Sequence, residues 1–133
     1  RPLGITACDE EICTDLLESQ YGRRSKEHLR NNILGFRKLF TGCGADNKGL
    51  GFDDFLYAMG QSELAEEIDQ AAQATIDAID TIDEADLVTA LEEDRQSVLA
   101  VHSALNRLTD LLRSDFLLVL SLELPQMVQG DND

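Results

Sequence analysis

The stretch Arg95–Leu122, RQSVLAVHSALNRLTDLLRSDFLLVLSL, decides the fold. Val98, Val101, Leu105, Leu108, Leu112, Asp115, Val119 and Leu122 recur at alternating spacings of three and four, a near-heptad seam along one helix face. Seven of these eight positions are apolar, and Asp115 is the intruder. The run Phe116–Leu120, read alone, would suit a strand, but it continues the helical stripe unbroken. The pattern therefore predicts one helix on the order of 40 Å long, capped by Asp94 and ended before Pro125.

The same periodicity holds upstream. Leu29, Ile33, Phe36 and Phe40 define a helix from a Ser25 N-cap to the glycines Gly42 and Gly44. Asp53–Met59 reads as a short helix stopped by Gly60. Ser62 is placed to cap a third helix striped by Leu64, Ile68, Ala72, Thr75 and Ile79, with Ile82 just beyond. Thr81–Ala85 breaks it, and a short helix Asp86–Glu92 follows. No alternating strand pattern stands out. The expected fold is all-α, an antiparallel up-down helical bundle with short connections. Residues 1–24 form an N-terminal segment with a short helix around Glu10–Ser19, 25–124 the bundle, and 125–133 a polar tail.

Composition narrows the function. Twenty-six acidic residues stand against eleven basic ones, for a net charge of −15. That excludes a nucleic-acid backbone as partner, which needs Lys and Arg to displace counterions. It permits cation binding, while a soluble acidic surface is the plainer account. No apolar segment reaches the roughly 18–20 residues that span a bilayer. The sequence begins at Arg1 with neither an initiator Met nor a signal peptide, so a fragment of a longer or processed protein is expected.

Candidate chemistry is sparse. A buried, unpaired carboxylate is costly, so Asp115 on the seam should meet a cation, a strong donor or a metal, unless Phe116 takes the core position and leaves Asp115 at the rim. Asp110 and Arg113 lie nearby on the same helix. The loop Thr41–Phe55, TGCGADNKGLGFDDF, superficially echoes an EF-hand. With Asp46 first, Lys48 and Leu50 fall on ligand positions and Tyr57 on the bidentate one. With Asp54 last, the first ligand is Cys43 and the glycine position is Lys48. Both registers fail. Asp53 and Asp54 instead sit at a helix start, suited to capping. Cys8, Cys13 and Cys43 lack the spacing of a zinc site; a disulfide from Cys43 to Cys8 or Cys13 is the better expectation. His28 and His102 are isolated, and neither is followed by Glu three residues later.

NNILGFRKLFTGCG, GLGFDDFLYAMG and LTDLLRSDFLLVLSLELP, with the terminal GDND, together resemble the C-terminal half of imelysin-family proteins across most of Ser25–Asp133. The resemblance implies one half of a two-bundle fold in an exported bacterial protein, periplasmic or lipid-anchored at the outer membrane. It implies a role in iron or haem uptake, in a family of which some members were classed as metallopeptidases. The family's G-x-H-x-x-E motif belongs to the N-terminal half and is absent here. The expected partner is that half. Iron or zinc would be bound jointly with it, and membrane association would come only through a lipid anchor outside this chain. Within this chain, Asp53, Asp54, Asp110, Arg113 and Asp115 are the candidate ligand-binding residues, with Asp115 facing inward, Arg113 beside it and Asp53–Asp54 at the mouth. An exported location also favours the disulfide. The alternatives are part of a metallopeptidase and a purely structural helical domain.

Overall fold

The computed structural model describes residues 24–44, 49–83 and 86–120. These residues form helices α1 (Ser25–Thr41), α2 (Phe52–Ala58), α3 (Ser62–Asp80), α4 (Leu87–Glu93) and α5 (Arg95–Asp110). A π-helical segment, Leu111–Phe116, and a final turn α6 (Leu117–Val119) continue α5. No strand occurs among the described residues, and the protein is all-α.

The core follows the predicted stripes. Ile33 and Phe40 of α1, Leu56 of α2, Ile68, Ala72, Thr75 and Ile79 of α3, Ile82, Leu87 and Leu91, and Val98, Val101 and Leu108 of α5 are buried. The small side chains of Ala71 and Ala72 let α3 lie close to its neighbours, and α3 packs chiefly on α5. The buried Thr75 hydroxyl donates to the Ala71 carbonyl (2.8 Å), so no polar group is stranded there.

A basic stripe fastens α1 to α3. The Arg37 guanidinium donates to both Asp69 carboxylate oxygens (2.6 and 3.0 Å) and to Gln73. Arg30 forks onto Asp80 (2.7 and 3.0 Å), and Lys26 reaches the Ile82 carbonyl. Rising numbers on α1 meet falling numbers on α3, so these two helices are antiparallel. The Arg30 guanidinium holds the Asp80 carboxyl below its ordinary value.

Helix ends differ in detail from the sequence reading. Arg24 and Gln61, not Ser25 and Ser62, occupy the cap positions of α1 and α3, and neither helix has a side-chain cap. The serines are the first helical residues. The Asp caps form as expected: Asp86 accepts from the Thr89 N–H (3.0 Å) and Asp94 from the Ser97 N–H (3.4 Å). Gly42 leaves α1 at φ +94° and Gly60 turns α2 into α3 at φ +74°. At Gly42 a Cβ would overlap the Gly49 carbonyl, and at Gly51 the carbonyl of Phe40. The glycine loop is thus a backbone-on-backbone clasp between the end of α1 and the start of α2.

The long helix departs from plan at one point. The Leu117 N–H bonds the Leu112 carbonyl, five residues back, and the Ser114 hydroxyl donates to the Asp110 carbonyl (2.6 Å). A side chain competing for a helix carbonyl favours such widening of the turn. The wider turn carries the seam from Leu108 and Leu112 to Phe116 rather than to Asp115. Phe116 packs edge-on against Phe40 (centroids 6.3 Å apart) and Phe52 (5.8 Å). Asp115 is exposed and does not face the bundle interior, as the uninterrupted heptad had implied.

Candidate functional site

The π segment gathers polar side chains on the outer face of the long helix. Ser103, Asn106, Arg107, Asp110, Leu111, Ser114 and Asp115 line an open groove of about 450 Å³. The Ser114 hydroxyl lies 3.2 Å from the Asp115 carboxylate. A second depression of about 290 Å³ between α3 and α5 meets this groove at Arg107. Two carboxylates, two hydroxyls, an amide and one guanidinium therefore share a single surface. Such a set can bind a polar ligand carrying both donors and acceptors.

Of the five residues expected from sequence, the structure brings Asp110 and Asp115 together here. Arg113 is exposed and does not line the groove. Asp53 and Asp54 lie elsewhere. Asp54 accepts from the Gly51 N–H (2.9 Å), closing the first turn of α2 from its third residue. Asp53 accepts from the Asp54 N–H (2.9 Å) and lines a separate depression of about 180 Å³ with Thr41, Tyr57, Glu66, Asp69 and others. Burial, and then the charges of Asp54 and Asp69, push its carboxyl above the ordinary value despite the backbone donors.

This shift has a testable consequence. The folded state holds the Asp53 proton more tightly than the unfolded chain does. Its stability therefore falls as pH rises from the unfolded carboxylate value through the raised folded one. Asp53→Asn keeps an oxygen for the Asp54 N–H and loses the charge. It is expected to raise stability at pH 7 by about 0.5 kcal/mol after solvent screening, with the gain vanishing near pH 3, below both values. Thermal melts of the two proteins across pH 3–8 measure this.

The remaining sequence candidates stand apart from the groove. Cys43 carries an exposed free thiol; its expected partners Cys8 and Cys13 lie outside the described residues. His28 is exposed, and His102 lies 3.5 Å from Asn106 on the same helix. Among the described residues no group of three or more His, Cys, Asp or Glu side chains is placed to hold a metal ion. None of the described helices is long and apolar enough to cross a membrane. Sequence reasoning missed Ser103, Asn106, Arg107 and Ser114. Their spacing on the helix face opposite the seam was the available signal.

A family model described as Imelysin matches residues 10–114. The chain belongs to the imelysin family. The match takes in the 10–24 segment, beyond the region that carried the resemblance, and ends one residue before Asp115. No curated protein and no solved structure matches the chain.

Proposed function

We propose that this chain is the non-catalytic, ligand-binding C-terminal half of an exported imelysin-like protein acting in iron or haem uptake. The observation that carries the reading is the π segment, which sets Asp110 and Asp115 side by side in one groove with Arg107. π turns of this kind concentrate at functional sites. The described residues alone do not fit a metal ion, because two carboxylates beside a guanidinium fall short of the three or four ligands that such sites use. Iron or zinc would take its other ligands from a segment bearing G-x-H-x-x-E, which this sequence lacks. Asp53 and Asp54 lie in another depression and cap α2, so the reading rests on Asp110 and Asp115.

Metal-dependent hydrolysis needs several fixed ligands with one coordination position open, and His28 and His102 stand alone. The purified chain is therefore expected to leave casein and the insulin B chain intact with zinc present. Chelator-sensitive cleavage by this chain alone would overturn the non-catalytic reading. Native mass spectrometry of the protein from its source tests the two-part reading. A companion segment carrying H-x-x-E is expected, and a stably folded, solitary chain counts against it.

A further inference from the structure

One surface lies outside the groove and outside the reading above. Helix α2 buries Leu56 but leaves Phe52 44%, Phe55 39% and Met59 54% exposed. These three recur at i, i+3 and i+7, so they line one flank of the helix. Leu50, just before the helix, is 95% exposed. Large apolar side chains clustered on so short an element mark an interaction surface rather than ordinary scatter.

Charge identifies what fits it. Residues 49–94 contain fourteen Asp and Glu and no Lys, Arg or His. Only Asp69 and Asp80 among them meet an arginine of α1. Asp54 on α2 is exposed, and the Gly60 turn sets Glu63, Glu66 and Glu67, all exposed, on the first turns of α3 beside the end of α2. The Gln61 N–H bonds the Leu56 carbonyl (2.8 Å), so that turn is tight. The apolar flank is therefore bordered by carboxylates with no basic residue in the same stretch of chain. A second copy would bring the same charge against it, and anionic lipid would be repelled.

We propose that this flank of α2 is a docking site for a basic amphipathic helix of another protein. The partner's leucine-like side chains would cover Phe52, Phe55 and Met59, and its lysines would lie over Asp54 and the α3 glutamates. The flank from Phe52 to Met59 is about 10 Å long, the length of two turns of such a helix. Apolar contact would supply affinity, and the charges would supply orientation and a fast, salt-sensitive encounter.

The test uses fluorescence anisotropy with a labelled amphipathic Leu/Lys peptide of about 14 residues. A scrambled peptide of the same composition and an amphipathic Leu/Glu peptide serve as comparisons. The variant is Phe55→Ser with Met59→Ser, two half-exposed positions, with folding checked by circular dichroism; Phe52 is kept because it touches Phe116. The wild type is expected to bind the amphipathic Leu/Lys peptide at least about tenfold tighter than either comparison peptide, and the double variant to lose about tenfold in affinity. Equal binding of the scrambled peptide, equal binding of the Leu/Glu peptide or unchanged affinity in the double variant would overturn the proposal. So would a concentration-dependent dimer that the double variant abolishes, because a second copy would then occupy the flank. None of these outcomes bears on the groove at Asp110 and Asp115.

Discussion

Phe40→Ala is expected to cost about 3–5 kcal/mol of folding stability, out of a total on the order of 5–15 kcal/mol for a domain of this kind. Phe40 is almost fully buried at the end of α1. Its ring stacks on Phe36 (5.9 Å) and meets Phe116 edge-on, and Phe116 in turn meets Phe52. One side chain thus joins α1, the π segment and α2. Truncating it leaves a cavity that backbone packing around the glycine clasp prevents from collapsing. Urea unfolding measures the loss. A cost under about 1 kcal/mol would show that the aromatic cluster does not hold these three elements together.

Gly42→Ala should be the second most damaging single change. Its φ of +94° is unfavourable for any residue with a Cβ, costing about 1–2 kcal/mol. The added methyl would also overlap the Gly49 backbone, and an overpacked site typically costs a further 1–3 kcal/mol, roughly. Gly60 provides the internal comparison. It also has positive φ, at +74°, but a Cβ there meets open space. Gly60→Ala should therefore cost only the backbone share, about 1–2 kcal/mol. Equal losses at the two positions would show that the clasp contributes nothing beyond backbone conformation.

The helices were legible because each buried face repeats with helical spacing. Ile33 and Phe40, Ile68, Ala72 and Ile79, and Val98, Val101 and Leu108 all stand in the core where the periodicity puts them. The aspartate caps at Asp86 and Asp94 were legible for the same local reason: a short carboxylate beside free N–H groups. Ser25 and Ser62 show the limit of that rule, since each helix starts one residue earlier without a side-chain cap.

Asp115 was misplaced because a heptad count assumes a constant turn. The π segment inserts a wider one, and the Ser114 hydroxyl on the Asp110 carbonyl accompanies it. Periodicity carries no trace of that single bond. The same widening created the groove, so the residues lining it beside Asp110 and Asp115 were invisible as a group. Asp53 and Asp54 were recognised as helix-start residues, and Asp54 caps as expected, yet no local pattern separates their depression from the groove on the long helix.

The central claim is that Asp110 and Asp115, presented by the π segment, contact the ligand of this imelysin-family protein. Calorimetric titration with zinc or ferrous iron tests it most directly. The protein is produced together with its H-x-x-E-bearing segment, as wild type and as Asp110→Ala and Asp115→Ala. Saturable binding is expected in the wild type, weakened at least about tenfold in each variant. Identical isotherms for the three proteins would contradict the account.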